Sequence, residues 1–305
     1  MGTYVIRRLL QTVLVVVGAV TLLFFILRLS GDPVGLMLPF DATPEMIERF
    51  RASYGLTEPA YIQYVRFLTR VAGGDLGTSI RYGRPALGLV LGRLPATLEL
   101  AMASVALAVF LSIPVGIVAA VKRGSLYDNA CMMVSLLGQS IPTFWLGIMA
   151  IIVFGVQLRL LPTSGREGLR YVILPSLSLA AYSMARLARI TRSSMLDVLG
   201  EDYIRTARSK GLREWIVISG HAVRNASIPV MAVVGYMFAT LLGGSVVIET
   251  VFAWPGIGAL LVQAVSTRDY PVAQAAVLMI ALFVVAVNLL TDISYAFLDP
   301  RIRYE

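Results

Sequence analysis

Apolar residues fall in long blocks along this chain, and the short stripes that line a soluble core are not the dominant pattern. The first block, Leu9 to Leu29, is interrupted only by Gln11, Thr12, Thr21 and Arg28. A bilayer span takes about 20 mostly apolar residues, so this block is long enough to cross. Arg28, Asp32 and Pro33 stand where a leader peptide would carry its small-x-small cleavage site, which predicts an uncleaved first helix. Five further blocks run Ala96 to Val121, Ala130 to Leu158, Tyr171 to Ala185, Pro229 to Ile248 and Ala273 to Phe297. The second carries Glu99 near its start and Pro114 near its end, and stops at Lys122, Arg123 and Gly124. The third is expected to tilt or kink at Ile141-Pro142, because proline removes a backbone donor and clashes with the preceding turn. The fourth continues its helical pattern through Arg186, Arg189 and Arg192, so that helix should leave the bilayer unbroken. The expected fold is an all-α integral membrane protein of six spans, with both termini on one side.

Between the blocks lie two informative polar stretches. Residues 30–95 mix both charges with glycines and aromatics and include Thr43-Pro44-Glu45-Met46-Ile47-Glu48-Arg49-Phe50, a helix-start pattern. The chain therefore divides into 1–29 (N-terminus and first span), an extramembrane subdomain 30–95, and a core 96–305 that contains the loop 193–228. In that loop Gly200 precedes Glu201 and Asp202, acids suited to a first helical turn, while Lys210 suits a last turn and Gly211 a left-handed terminator. Glu201 and Arg205 are four apart in the stabilising order. A short capped helix over 201–210 follows, with Tyr203, Ile204 and Ala207 on one face, and a second amphipathic helix runs from about Glu214 toward Asn225. The apolar face of this pair must be covered, either by the protein's own inner surface or by a groove on a partner.

Composition narrows the chemistry. Hydrophobic residues make up 57% and charged residues 14%, against about 25% charged in an ordinary soluble domain. Cys131 and His221 are single, so no internal disulfide, Cys-x-x-Cys pair, His/Cys zinc cage or His-Glu-x-x-His helix can form. No catalytic, cofactor or metal residue is assigned. The two lysines, Lys122 and Lys210, follow Val121 and Ser209 and not glycine, so no phosphate loop is present; any ATP and Mg must bind another subunit. Gly73-Gly74-Asp75-Leu76-Gly77-Thr78 has no lysine and reads as a turn. Serine nucleophiles lack a histidine within the spans, and Glu99 and Asp292 read as interfacial or helix-to-helix groups more readily than as an ion relay.

The formal charge of +8 follows the membrane. With a cytoplasmic N-terminus, inside segments hold Arg7, Arg8, Lys122, Arg123, Arg186, Arg189, Arg192, Arg205, Arg208, Lys210, Arg213, Arg224, Arg301 and Arg303. Short outside loops hold Arg159, Arg166, Arg170 and Arg268. This bias places both termini in the cytoplasm and residues 30–95 outside. The basic residues lack an interleaved aromatic platform, so lipid is the expected partner and nucleic acid is not.

Several segments then carry a family resemblance. Glu201-Asp202-Tyr203-Ile204-Arg205-Thr206-Ala207-Arg208-Ser209-Lys210-Gly211-Leu212, followed by His221-Ala222-Val223-Arg224-Asn225-Ala226-Ser227-Ile228-Pro229-Val230, closely resembles the cytoplasmic loop of dipeptide and oligopeptide permeases, the membrane subunits of bacterial ABC importers. Arg93 to Leu100, Gly243 to Gly258, Arg268-Asp269-Tyr270-Pro271, the ending Asp299 to Tyr304, Tyr4 to Leu10 and Gly31-Asp32-Pro33 are similar to the same family. Against the broader importer pattern, aligning on Gly211 puts Arg205, Thr206 and Ala207 in place of Glu-Ala-Ala, and His221, Val223 and Arg224 in place of Ile, Leu and Pro.

The resemblance implies a multi-pass permease of the bacterial inner membrane that forms half of a pathway for di- and oligopeptides. Nickel, glutathione or another small solute is the alternative cargo, and a secondary carrier the alternative mechanism. It implies a second homologous permease, two cytosolic ATPase subunits that bind ATP and Mg, and an extracytoplasmic substrate-binding protein. Glu201, Asp202, Tyr203, Ile204, Arg205, Thr206, Ala207, Arg208, Lys210 and Gly211 become the ATPase-coupling residues. Glu249 and Trp254, at the outer end of the fifth span, become candidates for the pathway or outer gate; Glu249 could equally cap a re-entrant turn, and Trp254-Pro255-Gly256 reads as a turn anchored at the membrane interface.

Overall fold

Long apolar runs can enter a bilayer only if their backbone polar groups bond internally, and helices meet that demand within a single segment. The computed structural model describes residues 2–29, 34, 38 and 41–298, with the side chains of 13–29, 34, 38 and 41–291. Gly31-Asp32-Pro33, the ending from Asp299 and the side chains of Tyr4 to Leu10 and of Asp292 lie outside the described residues. Among those described, the structure is helical apart from turns and an isolated bridge between Thr78 and Pro85. In chain order the helices are α1 (Gly2–Leu29), α2 (Pro44–Ser53), α3 (Ala60–Ala72), α4 (Ala86–Val121), α5 (Leu126–Ser140), α6 (Thr143–Gln157), α7 (Leu169–Leu199), α8 (Asp202–Ser209), α9 (Glu214–Val251), α10 (Ile257–Ser266) and α11 (Tyr270–Leu298).

Among the described residues, α4, α7, α9 and α11 are long and apolar enough to cross a membrane, and α5 with α6 makes a fifth candidate if counted together. The third apolar run does more than kink. It breaks into α5 and α6 at an angle of 104°. Ile141 is extended there (φ −88°, ψ 128°), as a residue before proline prefers, and Pro142 caps the next helix. The fourth run is unbroken through Arg192, as expected. The loop's second amphipathic helix and the fifth run are one helix, α9, which passes through wide π turns at Val217–Ala222 and continues through Pro229. Glu99, expected near a helix end, instead sits well inside α4, where its carboxylate accepts from Arg166 Nε at 2.7 Å.

The chain forms two compact units, residues 1–97 with 255–283 and residues 98–254 with 284–305. In the first unit, Leu27, Ala86, Val90, Ile257, Val272 and Ala276 form a buried core, while α2 and α3 bury no residue completely. Helix α2 begins where its sequence predicts: Thr43 Oγ1 accepts from Met46 N at 3.3 Å and Pro44 opens the first turn. The glycine-rich stretch is a turn, with Asp75 Oδ1 accepting from Gly77 N at 2.8 Å. Tighter still is the tie made by Asp269, buried between α10 and α11. Its carboxylate accepts from Ile80 N at 3.1 Å, from Arg81 N at 3.3 Å and from the Ser79 hydroxyl.

In the second unit α7 is the central helix and packs on α5, α6 and α9. Ala180, Leu187, Val230 and Met237 are buried together. Gly116 of α4 allows close approach to α7: a Cβ there would lie 2.6 Å from both Ala188 O and Thr191 Cβ. Asp128, 2% exposed, accepts from Arg192 Nε at 2.5 Å and Nη2 at 2.7 Å and so ties α5 to α7. Trp254 is fully buried, with the Arg166 guanidinium 5.9 Å from its ring centroid. That corrects the expectation of an interface-anchored side chain: the ring is spent on packing inside the protein.

Candidate functional site: the short helix and its turn

Helix α8 starts abruptly and ends on a defined turn. Glu201 is extended (φ −72°, ψ 150°) and serves as N-cap through its backbone, without a side-chain hydrogen bond. Asp202 occupies the first turn, where a carboxylate opposes the positive end of the helix dipole. At the other end Gly211 has φ +76°. Gly211 N donates to Arg208 O at 2.9 Å and Leu212 N to Ala207 O at 3.4 Å, the paired bonds of a Schellman motif. A Cβ on Gly211 would meet nothing within 4 Å, so the backbone conformation, and not crowding, is what requires glycine there.

The inner side of α8 is covered by its own chain. Ile204 (0% exposed) and Ala207 (6%) pack with Met195 of α7, with Val217, Ala222 and Ala226 of α9, and with Ala120 of α4. Burying a side chain such as Ile204 is worth about 1.5–3 kcal/mol, enough to seat a helix of eight residues that could not persist alone. Of the two coverings the sequence left open for the apolar face, the first holds for Ile204 and Ala207. Tyr203 departs from the expected face and lies 40% exposed, its hydroxyl accepting from Asn225 Nδ2 at 3.0 Å.

The outer side is polar and open. Asp202, Arg205, Thr206, Arg208, Lys210 and Gly211 are all exposed there, with Glu201 at its edge. Arg205 pairs with Asp202 at 3.3 Å and not with Glu201 as its spacing suggested, because Glu201 precedes the helix and lacks helical geometry. Arg208 reaches across the turn to Glu214 in a two-pronged contact, Nη2 to Oε1 at 2.7 Å and Nε to Oε2 at 3.2 Å. Glu214 raises the Arg208 pKa by this hydrogen bond, so the guanidinium stays charged. The sequence reading missed this clamp and the Asp128–Arg192 tie. A six-residue spacing from Arg208 to Glu214 across a glycine turn was a usable signal for the first; the second joins residues 64 apart and had none.

Glu249 and Trp254 sit together at the end of α9. Trp254 N donates to Glu249 O at 2.8 Å and Ala253, at φ 46°, donates to Thr250 O at 3.3 Å. Glu249 is fully buried and its Oε1 accepts from the Ser245 hydroxyl at 3.2 Å. Both residues thus build the helix-ending turn, with their side chains inside the protein.

Long apolar helices joined by a small amphipathic helix held against their ends fit an integral membrane protein. The chain belongs to the binding-protein-dependent transport system inner membrane components: that family matches residues 112–304, and the N-terminal component of such systems matches residues 1–101. It is 43% identical to the oligopeptide transport system permease protein AppB of Bacillus subtilis over the full length of both chains. It is also 43% identical, again over both full lengths, to the glutathione transport system permease protein GsiC of Escherichia coli O6:H1. The dipeptide transport system permease protein DppB of Alkalihalophilus pseudofirmus is 38% identical over both full lengths. The fold is shared with the inward-facing MetNI methionine ABC transporter, at TM-score 0.55 and 17% identity over 69% of this chain and 96% of that one. The protein is a permease component of an ABC importer and an integral inner membrane protein.

Proposed function

We propose that this permease carries short peptides as one half of a translocation pathway whose other half is a second, related permease. Each of the two docks a cytosolic ATPase subunit, which binds ATP and Mg, and an extracytoplasmic binding protein delivers cargo. The spans number six, with both termini cytoplasmic and residues 30–95 outside, a reading supported by the loop arginine bias and by the apolar part of α1, Val13–Leu29. Lipid contacts the outward faces of the spans.

The observation that carries the proposal is the two-sidedness of α8. Its apolar side rests on α7 and α9 through Ile204 and Ala207, while its polar side, from Asp202 to Gly211, is open to a partner. A push on α8 therefore reaches two spans through a packed contact. ATP can shift the pathway between inward and outward forms only if the ATPase binds the two forms unequally, and α8 is where that difference is felt. Glu249 and Trp254 serve the outer gate by fixing the end of α9.

Glutathione is a second cargo reading, favoured by the 43% identity to the glutathione permease. The deciding experiment is uptake by proteoliposomes holding the assembled transporter with ATP inside. Saturable uptake of labelled di- or tripeptides supports the proposal; uptake of glutathione with none of other short peptides replaces the cargo, and uptake without ATP or ATPases overturns the mechanism. Topology is checked with Thr43→Cys and Ser209→Cys in a Cys131→Ser background. An impermeant thiol reagent should label them from opposite faces of the membrane, and same-face labelling would require another span count.

A further inference from the structure

Most of α7 is covered by its neighbours, and the part that stays open is polar. Between Leu174 and Ile190 the exposed residues of α7 are Tyr182 and Arg189, and Arg186 lies half-buried between them. Their spacing puts the three on one stripe of the helix. The open stripe of α4 makes the contrast: Met102, Ala106 and Phe110 are all exposed there, and an apolar stripe suits lipid.

The two arginines of the α7 stripe reach opposite ways. The Arg186 guanidinium lies 5.7 Å from the ring centroid of Tyr236 on α9, and Arg189 Nη2 donates to Gln139 Oε1 of α5 at 3.0 Å. Arg192, further along α7, is neutralised by Asp128. Among the described residues no carboxylate pairs with Arg186 or Arg189, and no hydrogen bond engages the Arg186 guanidinium. Tyr236 is 54% exposed, and Thr240, one turn along α9, is open beside it. The register of the helices sets the depth of this group. Helices α7 and α9 run antiparallel, with Met195 packed in one cluster with Ala226 and Leu179 beside Gly244, so Arg186 stands level with the Tyr236 turn. Tyr236 is about 10 Å along the helix from Pro229, where the fifth apolar run begins. Arg186 follows the end of the fourth apolar block in the sequence, yet its neighbour on α9 lies inside the fifth. An arginine at that depth is costly against lipid, and such groups in spans face a water-filled cavity or an opposite charge.

We infer that this stripe is the pathway wall contributed by this chain, and that Arg186 binds the terminal carboxylate of a short peptide on its way through. A guanidinium recognises a carboxylate by two parallel hydrogen bonds. The Tyr236 ring holds the guanidinium in place, and the exposed Tyr182 and Tyr236 add hydroxyls for the peptide's own polar groups. The inference rests on the reading of this chain as half of a short-peptide pathway and deepens it: it names the wall and the group of the cargo that the wall reads.

The test uses Thr240→Cys and Phe110→Cys, each in a Cys131→Ser background, in the assembled transporter without nucleotide in phosphatidylcholine nanodiscs. Labelling of this chain by a charged methanethiosulfonate, which reacts with thiols in water, should be fast at Thr240→Cys and slow at Phe110→Cys. Trialanine should slow the Thr240→Cys reaction, and trialanine amide should need about tenfold higher concentration for the same protection, the scale of one lost hydrogen bond to a charge. Adding Arg186→Gln should bring the two peptides together, while Arg186→Lys, which keeps the charge and loses the fork, should retain part of the difference. Labelling no faster at Thr240→Cys than at Phe110→Cys means that lipid or the second permease covers the stripe, and overturns the inference. Equal protection by both peptides, or none, overturns it as well, and these arms keep Arg186 in place and so do not depend on how its variants fold. A tenfold difference that survives Arg186→Gln places the carboxylate elsewhere and also overturns it. Loss of labelling when phosphatidylglycerol replaces phosphatidylcholine assigns the arginines to an anionic lipid headgroup, with the same result. Peptide uptake by the assembled transporter without carboxylate-dependent protection sinks the inference alone, whereas absence of any peptide uptake sinks the cargo reading.

Discussion

Helix α8 and helix α10 end on turns of the same hydrogen-bond pattern, and the two turns are held by opposite means. After α8, Gly211 takes φ +76° in the open, with no atom within 4 Å of where a Cβ would stand. After α10, Arg268 takes φ 53° and Asp269 N donates to Ala264 O at 2.8 Å, the same closing bond that Leu212 makes to Ala207. A non-glycine residue in that conformation costs about 1–3 kcal/mol. Asp269 offsets it by accepting from Ser79, Ile80 and Arg81, far away in the chain. One turn is fixed by the residue that makes it and leaves its surface free for a partner. The other is fixed by the fold, through a carboxylate buried beneath it. A coupling element should be of the first kind and a structural corner of the second.

Asp269→Ala should produce the largest loss. It leaves the Ser79 hydroxyl and two backbone N–H groups near Ile80 and Arg81 without their acceptor, at a cost on the order of 3 kcal/mol. Thermal unfolding of the purified protein should move sharply down, and the amount of protein in the membrane should fall; an unchanged midpoint would mean that this corner is not held by its carboxylate. Gly211→Val should cost the α8 turn about 1–3 kcal/mol of local strain while leaving the unfolding midpoint of the spans nearly untouched. Gly211→Asn, which tolerates the left-handed region better, should fall between valine and wild type.

Smaller effects sharpen the contrast. Glu214→Ala removes the exposed clamp on Arg208, worth about 0.2–1 kcal/mol by comparison with other surface ion pairs. Its effect should show as faster amide hydrogen exchange in α8, with none in α10. Ser209→Ala removes only a hydroxyl bonded to Thr206 O within the same helix, and should change stability by less than about 0.5 kcal/mol. A loss of transport from Ser209→Ala as large as that from Gly211→Val would mean that the outer face, and not the turn, matters.

The same division explains what could be read from the sequence. Long apolar blocks and their breaks depend on residues close in the chain, so the unbroken course of α7 and the Thr43 cap were legible, as was the glycine that ends α8. The Ile141-Pro142 break was legible as a bend and understated in size, because proline fixes where the helix stops and packing fixes the 104°. Tyr203 was placed inward because it neighbours Ala207 on the helical wheel; it lies at the edge of that face, where its hydroxyl finds Asn225 instead. The Glu201 pairing failed for a local reason, since an N-cap residue is not yet helical. Asp269, Asp128 and the burial of Trp254 were beyond reach, because their partners or coverings come from distant positions. Within the candidate site, the shared covered face of Ile204 and Ala207 was legible and the exposure of Tyr203 was not.

The central claim is that the Gly211 turn passes ATPase motion to the spans. The most direct measurement compares wild type and Gly211→Val in proteoliposomes of the assembled transporter at equal permease content, reading both peptide uptake and the ATPase activity stimulated by loaded binding protein. The account predicts that uptake falls about tenfold or more, the effect of some 1.4 kcal/mol lost from coupling, with stimulation weakened in parallel and the unfolding midpoint of the spans retained. Wild-type uptake and wild-type stimulation from Gly211→Val would contradict it.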